Sequence, residues 1–278
     1  LLRDKEWVQK QTRSIELADK PKYPRIIKPR SGTGSMGIHF VDSAEESKRL
    51  LDSFANADDY ISEPFHRGPL YSAELWSDGQ SFRFFGVTNR IMTDPPLFLE
   101  RVKTFPHEAG SPWEKLVKNW SRKIVEDLDY NLGLAHIEFI ETKKGFQLVE
   151  INSRLAGALI TPAIDCCTNY DPYALAVADA LCVIPNELPK RREISGGHSH
   201  VTIYANRTGR LESIDGTTML SSYPGRPTWL ASKHRGADIT DLTSWRARLG
   251  HVYATGPSPA IAQDRAIAAA SAIRFTIE

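Results

Sequence analysis

The chain has 278 residues, which is enough to bury the core of one large domain or of two ordinary ones. Its 35 Lys and Arg residues balance 34 Asp and Glu residues, and this near-neutral charge argues against nucleic acid or a membrane surface as its partner. No apolar run reaches the ~18 residues that a transmembrane helix needs. The three cysteines, at positions 166, 167 and 182, lack metal-ligand spacing, and we interpret them as reduced thiols of a cytoplasmic protein.

The first quarter of the chain predicts a small unit of short helices and strands. A helical pattern runs from the start to the prolines near residue 22, and Ser43 with Glu46 forms a capping box that opens a second helix. Runs of β-branched and aromatic residues predict three strands, at residues 25–28, 38–41 and 59–63. A loop rich in glycine and serine, residues 31–37, joins the first two strands.

A long amphipathic helix is predicted near the middle of the chain. Ser111, Pro112 and Glu114 provide an N-cap, a proline at the first helical position and an acid at the third. The apolar residues that follow recur every four positions, and we expect them to form the buried face of the helix. They are Leu116, Trp120, Ile124 and Leu128.

Two hairpins flank this helix, and the end of the chain is rich in strand patterns. The hairpins pair residues 71–76 with 82–87 and residues 136–141 with 146–151. A helix over residues 174–181 is followed by a linker at residues 185–192, and strand patterns begin at residue 199. Because strands and helices alternate without a regular βαβ rhythm, the sequence predicts a mixed antiparallel α+β architecture.

Four polar residues on the second hairpin are the strongest chemical signal in the sequence. Since side chains alternate along a strand, Glu150, Asn152 and Arg154 share one face, and Glu138 on the partner strand can lie opposite Glu150. Two carboxylates and an amide oxygen are ligands that Mg²⁺ prefers, and the arginine suits a phosphoryl or carboxylate oxygen. The alternative is a half-solvated hairpin face that carries ordinary charges.

The glycine-rich loop suggests a phosphate site, and the strand that ends at residue 63 suggests an adenine site. Backbone N–H groups of the loop could approach triphosphate oxygens beside Lys28, although the loop matches neither the P-loop nor the dinucleotide fingerprint. The carbonyl of Pro64 could accept a hydrogen bond from the adenine amino group, and His66 could donate one to the ring. The alternative for the glycine-rich loop is an ordinary hairpin turn, and the alternative for the strand end is an ordinary turn.

Taken in order, these motifs resemble those of the ATP-grasp superfamily over residues 3–182. The order is Asp-Lys, a strand ending in Lys-Pro, a glycine-rich loop, Glu-x-Phe, Tyr-Ser-Ala-Glu, Ile-Glu-Phe and Glu-x-Asn-x-Arg. Within the superfamily, residues 152–158 are similar to those of the L-amino-acid ligases, including bacilysin-type dipeptide synthetases. Residues 208–211 and 250–253 resemble the C-terminal subdomain of those enzymes.

The resemblance implies a role for individual residues. Lys28 and Arg154 would be catalytic, and Arg154 and Gly157 would contact the substrate. The Mg²⁺ ligands would be Glu138, Glu150 and Asn152. The ATP-binding residues would be the paired lysines Lys5 and Lys28, the loop residues Ser31, Gly32, Gly34, Ser35 and Met36, the adenine hinge Glu63, Pro64, Phe65 and His66, and Glu74 near the ribose.

The resemblance also implies an activity: an ATP-dependent carboxylate–amine ligase that forms an amide through an acyl phosphate and releases ADP and phosphate. The cofactors would be ATP and Mg²⁺, with Mn²⁺ as a substitute, and the substrates a small carboxylate and a small, amino-acid-like amine. Three alternatives stay open: a bicarbonate-using ligase, a ring-closing ligase and an inactive nucleotide-binding module. A homodimer is one option for the oligomeric state. His136 and His198 are interpreted as structural or peripheral.

The implied ATP-grasp fold has two α+β subdomains that grip ATP, with an added β-rich C-terminal subdomain. Residues 1–23 would be a helix remaining from the N-terminal side, and residues 24–66 the small lid subdomain. Residues 67–190 would form the large subdomain with the Mg²⁺ site, and residues 191–278 the C-terminal subdomain. We expect the family's N-terminal domain to be absent, and Lys5 lies closer to Lys28 than the family spacing.

Overall fold

Two small sheets and one large sheet organise the computed structural model, which describes residues 2–15, 17, 22–32, 34–183 and 188–278. The helices of this part are Lys5–Gln11 (α1), Ala44–Asp52 (α2), Pro112–Asp127 (α3), Ile160–Cys167 (α4), Pro172–Ala180 (α5) and Pro259–Ala270 (α6). The strands are Arg25–Pro29 (β1), His39–Val41 (β2), Tyr60–Pro64 (β3), Leu70–Ser77 (β4), Phe82–Met92 (β5), Glu100–Phe105 (β6), Gly133–Thr142 (β7), Gly145–Asn152 (β8), Gly197–Tyr204 (β9), Gly209–Asp215 (β10), Thr228–Ala231 (β11), Asp238–Ile239 (β12), Arg248–Gly256 (β13) and Arg274–Ile277 (β14). These strands pair antiparallel, which confirms the predicted architecture.

The large sheet has eight strands in the order β11-β13-β9-β6-β5-β4-β7-β8. On one face of β4 and β7, Ala73, Leu75 and Ile137 are buried in a core that also includes residues of α3. Because side chains alternate along a strand, the residues between them point to the opposite face. Those residues include Glu74 and Glu138, and we call this second face the polar face. Part of it is apolar, because Trp76, Phe85 and Leu134 pack there in another core with residues of α4.

Helix α3 begins where the sequence predicts, but its buried face is shifted. The hydroxyl of Ser111 accepts a hydrogen bond from the backbone N–H of Glu114, as an N-cap should. The prediction for Leu116 is wrong, since its side chain is 60% exposed, and Val117 is buried instead. Four residues of an α-helix turn by about 400°, which is about 40° more than one full turn. Residues spaced four apart therefore move gradually around the helix, and a row of four of them does not stay on one face.

Helix α1 is shorter than predicted and ends at Gln11. Asp4 caps its start by accepting from the N–H groups of Glu6 and Trp7. At its other end the hydroxyl of Thr12 donates to the carbonyl of Val8, and a 3₁₀ turn follows at Arg13–Ile15. Much of the predicted remainder of the helix, residues 16 and 18–21, lies outside the described part of the chain.

The small sheet β2-β1-β3 and helix α2 contain the elements expected for a unit over residues 24–66. Later in the chain, β9 pairs with β6 through contacts such as Val102 with Val201, so strands from both sides of residue 190 share one sheet. The predicted linker is partly described, and there Arg192 donates to the Glu114 carboxylate at 2.6 and 2.7 Å. The division at residues 23, 66 and 190 stays a prediction. No helix of the described residues is both long and apolar enough to cross a membrane.

Three histidines are buried together on the polar face, near the junction of β9 and β13. His198 stacks on Tyr253, and His200 lies edge-on to His251 with ring centroids 5.2 Å apart. Burial lowers the pKa of His198 to about 4 and that of His251 to about 3, with the positive charges of Arg248 and Lys103 adding to the shift at His251. Both imidazoles are therefore neutral in the folded protein at neutral pH.

We expect stability to fall as the pH drops below about 6.5, where these histidines take up a proton only in the unfolded state. At pH 5 the loss should be about 2 kcal/mol for each such histidine, at 1.36 kcal/mol for each pKa unit. Urea unfolding at pH 7.5 and pH 5 measures this loss. The His251→Asn variant should lose part of the pH dependence, whereas His234→Asn, at an exposed position, should keep it. Equal pH dependence in wild type and His251→Asn would contradict the prediction.

Candidate active site

A cavity of about 470 Å³ lies between the small sheet, the polar face of the large sheet and residues of the C-terminal region. It brings together many of the residues that the sequence marks as functional. Those that line it are Lys5, Lys28, Gly32, Gly34, Ser35, Met36, Glu138, Glu150, Arg154 and Gly157. Those that do not line it are Ser31, Glu63, Pro64, Phe65, His66, Glu74 and Asn152.

The two carboxylates predicted as metal ligands lie opposite each other. Glu138 on β7 is the register partner of Glu150 on β8, as the hairpin pattern predicts. The side-chain amide of Asn152 donates to Oε1 of Glu150 at 2.8 Å, which leaves the amide oxygen as an acceptor. Mg²⁺ is usually held by one or two carboxylates together with phosphate oxygens and waters, so this donor set fits it. The described residues include no group of three or more His, Cys, Asp or Glu side chains that could hold a metal by themselves.

Basic groups contact both carboxylates. Nζ of Lys5 lies 3.5 Å from Oε2 of Glu150, and Nη1 of Arg90 lies 2.8 Å from Oε2 of Glu138. Nε2 of His136 lies 3.0 Å from the other oxygen of Glu138. Burial raises the pKa of Glu138, but Arg90 and His136 outweigh it and hold that pKa well below its usual range. Glu138 is therefore ionised, as a metal ligand must be.

His136 connects Glu138 to Glu74, an acid that is only 2% exposed. Nδ1 of His136 lies 2.8 Å from Oε2 of Glu74, and the hydroxyl of Ser72 donates to the same carboxylate at 2.6 Å. Burial lowers the pKa of His136, but Glu74 and Glu138 outweigh it and raise the pKa to about 9. The charged imidazole donates from both nitrogens. His136 is thus closer to the site than expected, and Glu74, predicted near the ribose, lies behind it.

Lys28 links the small sheet to β8. Its side chain is buried, with Nζ 2.5 Å from Oε1 of Glu63 and 3.3 Å from the carbonyl of Val149. Glu63 also accepts from the side chain of Gln9 at 2.6 Å. The backbone N–H of Phe65 donates to the carbonyl of Pro24 at 3.0 Å, so it is engaged within the protein. The adenine hinge at Glu63–His66 stays a prediction.

The glycine-rich loop is packed beneath a tryptophan from the C-terminal region. Lys5 donates to the carbonyl of Gly32 at 3.1 Å. Gly34 has a φ of +68°, and a Cβ atom there would lie 2.3 Å from Cδ1 of Trp245. This position therefore requires glycine for two reasons, its backbone conformation and the closeness of the indole. Thr33 lies outside the described residues.

Sequence reasoning missed several charged and aromatic residues that line the cavity. They are Arg90, Glu100, Lys103, Tyr204, Trp245 and Arg248. Arg90 and Lys103 are register partners on β5 and β6, and Glu100 forms ion pairs with both. A charged residue inside an apolar strand such as β5 is a signal that could have identified Arg90. Arg248 reaches the site only because β13 joins the large sheet, which local patterns do not show.

Two family models match the chain. A model described as the ATP-grasp domain matches residues 5–158, and one described as the L-amino acid ligase C-terminal domain 2 matches residues 201–278. The uncharacterized protein y4rH of Sinorhizobium fredii is 26% identical over 246 residues, which is 84% of this chain and 49% of that protein. The chain thus spans about half the length of this curated relative.

Solved structures of several ligases share the fold. The L-amino acid ligase from Bacillus licheniformis matches with a TM-score of 0.84 and 17% identity, over 100% of this chain and 72% of that one. The biotin carboxylase domain of 2-oxoglutarate carboxylase from Hydrogenobacter thermophilus, solved with MgADP, ADP and bicarbonate, has a TM-score of 0.74 and 16% identity, over 100% and 67%. Phosphoribosylglycinamide synthetase from Anaerococcus prevotii has a TM-score of 0.66 and 13% identity, over 99% and 68%. These matches confirm the fold class predicted from the sequence.

Proposed function

The chain belongs to the ATP-grasp family, and from this we propose that it is an ATP-dependent carboxylate–amine ligase. The observation that carries the proposal is the cavity in which the paired acids Glu138 and Glu150 meet the lysines Lys5 and Lys28. Paired acids suit a metal ion, and lysines suit the phosphates of the nucleotide. A module that had lost catalysis would have no need to keep both sets of groups in one cavity.

The proposed reaction has two steps. An oxygen of the substrate carboxylate attacks the γ-phosphorus of ATP, and the bond to ADP breaks to leave an acyl phosphate and ADP. The amine nitrogen then attacks the acyl carbon, phosphate leaves, and the nitrogen loses a proton to give the amide. Phosphoryl transfer depends mainly on alignment and charge neutralisation, so no nucleophilic side chain of the protein is required.

Each proposed site residue has a separate task in this scheme. Lys5 and Lys28 bind phosphate oxygens, and Lys28 is held in place by Glu63 and the carbonyl of Val149. Glu138, Glu150 and Asn152 would hold Mg²⁺, which supplies charge neutralisation to the triphosphate when bound. Arg154 lines the cavity and has no acidic partner among the described residues, so its guanidinium is available to the transferring phosphoryl group.

Amino-acid-like substrates are supported by the match of residues 201–278 to the C-terminal domain of L-amino acid ligases and by the structural similarity to such a ligase. We therefore propose a small carboxylic acid and a small amine as the two substrates. We also place the activity in the cytoplasm, since all three cysteines are free thiols. A bicarbonate-using reaction is the second candidate, because the biotin carboxylase domain that shares the fold was solved with bicarbonate.

ADP release is the measurement that tests this function. The protein is incubated with ATP and Mg²⁺ and a panel of amino acids, singly and in pairs, with bicarbonate either added or removed. ADP release that requires both an acid and an amine, with an amide detected by mass spectrometry, supports the proposal. ADP release that requires bicarbonate instead favours the second candidate. Tight nucleotide binding without any turnover across the panel would contradict both.

A further inference from the structure

The cavity carries more positive than negative side chains. Its acidic residues are Glu100, Glu138 and Glu150, and each of them already contacts a basic group. Its lysines and arginines are twice as numerous, namely Lys5, Lys28, Arg90, Lys103, Arg154 and Arg248, and the charged imidazole of His136 also lines it. A cleft lined mainly by one sign of charge attracts ligands of the opposite sign.

ATP and the metal ion account for only part of this charge. In the proposed function, Lys5, Lys28 and Arg154 interact with phosphate groups, and Glu138 and Glu150 with Mg²⁺. The cavity-lining charges that remain are His136, which pairs with Glu74 and Glu138, and Arg90, Lys103 and Arg248. Glu100 is the acid that pairs with both Arg90 and Lys103. This part of the cavity therefore has an excess of positive charge that the nucleotide does not explain.

Arg248 differs from the other lysines and arginines of the cavity, because its side chain forms no hydrogen bond or ion pair with a described residue. Its Nε atom is shielded from solvent and has no hydrogen-bond partner among the described residues. The Arg248 guanidinium forms no ion pair with a described residue. It lies over the ring of Trp245, with Cζ 5.6 Å from the ring centroid. Nε of Arg90 is also buried without a described partner. The terminal nitrogens of Arg248 are not shielded in this way and donate to no described residue, so they are available to an acceptor supplied by a ligand.

The three basic residues line one cavity. Arg90 and Lys103 are register partners on neighbouring strands, and Arg248 lines the same cavity as both. Burial lowers the pKa of Lys103, and the positive charges of Arg90 and Arg248 lower it further, while the negative charges of Glu138 and Glu74 raise it. A bound anion would also raise this pKa and so favour the charged form of Lys103.

We propose that one substrate carries a second acid group, a carboxylate or a phosphate, which binds to Arg248 together with Lys103 and Arg90. The inference rests on the proposed function, since it concerns how a substrate binds in the same cavity. A guanidinium can hold two oxygens of such a group at once, and the Trp245 ring keeps the Arg248 guanidinium in place. The chemical class that fits is an acidic amino acid, or an acid that also carries a phosphate group.

The test compares ligands that differ in this second group. L-Glutamate and L-glutamine have nearly the same size, but only glutamate carries a second carboxylate, and O-phosphoserine offers a phosphate in its place. Binding of each is measured by calorimetry in the presence of Mg²⁺ and a non-hydrolysable ATP analogue, and ADP release is measured in parallel with ATP. We expect one of the two acidic ligands to bind roughly tenfold to a hundredfold more tightly than glutamine, the range for a charge-assisted hydrogen bond.

Substitutions at two nearby arginines, Arg248 and Arg246, provide the matched comparison. Arg248→Met should remove most of the preference for the acidic ligand, and Arg248→Lys, which keeps the charge, should retain part of it. Arg246→Met removes the same charge from an exposed position that does not line the cavity, and it should leave the preference unchanged. Recovery of the preference in the lysine variant separates ligand binding from a purely structural role, because both variants change the packing against Trp245.

The possible results separate this inference from the proposed function. Equal binding of the acidic and neutral ligands, no binding of any of them, or a preference that survives in Arg248→Met would overturn the inference. A stronger response to O-phosphoserine than to glutamate would support it and identify the second group as a phosphate. If the acidic preference is found in binding while no acid and amine pair releases ADP, the inference stands and the ligase function fails.

Discussion

Replacing Arg154 with Lys should lower the turnover number for ADP release roughly 100- to 1,000-fold, the cost of removing an oxyanion-type donor in other enzymes. Nucleotide affinity should stay nearly unchanged. The proposed partner of Arg154 is the phosphoryl group in transfer, where charge develops only as the reaction proceeds. Arginine offers a planar fork of donors that can hold two oxygens, whereas lysine presents a compact point charge. Losing an interaction specific to the transition state lowers kcat and kcat/KM together.

Arg154 is a suitable position for this test, because its side chain forms few contacts with the rest of the protein. Its side chain is exposed, and its one described hydrogen bond goes from Nη1 to the carbonyl of Leu155 at 2.9 Å. The substitution should therefore leave the stability of the fold unchanged. ADP release by both proteins is compared with nucleotide titration calorimetry, and Arg207→Lys, an exposed arginine outside the cavity, serves as the control. Full turnover in Arg154→Lys, or weaker ATP binding with normal turnover at saturation, would show that the assignment is wrong.

The large-sheet hairpins could be predicted from the sequence because their signals are local. Alternating side chains and a short glycine turn fix the register of β7 against β8, so Glu138 opposite Glu150 follows from spacing alone. Helix α3 was placed by its capping residues for the same reason. The buried face of α3 could not be predicted in the same way, because the sheet that packs against a helix decides which side is covered. Leu116 shows this, since it is apolar and regularly spaced and still faces solvent.

The part of the cavity that the C-terminal region contributes could not be predicted, because it depends on contacts between distant segments. Trp245 meets the glycine-rich loop, and Arg248 reaches the cavity, only in the folded protein. Glu74 shows the same limit for a residue that the motif order did predict. It follows the family motif in sequence, yet the fold buries it against His136, where it orients a neighbour of Glu138. Motif order indicates which groups are present, and the tertiary structure decides which of them reach the cavity.

Replacing Glu150 with Gln should raise the Mg²⁺ concentration needed for half-maximal ADP release by roughly 10- to 100-fold or more. That range is the usual loss of metal affinity when even an outer-shell partner of a metal ligand is removed. Glutamine keeps an oxygen at this position but loses the charge that attracts a hard cation. Glu150 suits the test better than Glu138, because neutralising Glu138 would remove one acidic partner from each of two buried basic groups, Arg90 and His136.

Nucleotide binding without Mg²⁺ gives an independent readout of the same substitution. Glu150 faces a cavity proposed to hold a triphosphate, so removing its charge lowers electrostatic repulsion and frees Lys5, which lies 3.5 Å away. ADP should therefore bind Glu150→Gln at least as tightly as wild type when Mg²⁺ is absent, and Mg²⁺ should no longer strengthen that binding. Glu126→Gln, an exposed acid on α3, is the control and should behave as wild type in both measurements. A Glu150→Gln protein with the Mg²⁺ dependence of wild type would exclude Glu150 as a metal ligand, because an oxygen that binds the ion cannot lose its charge without changing the affinity.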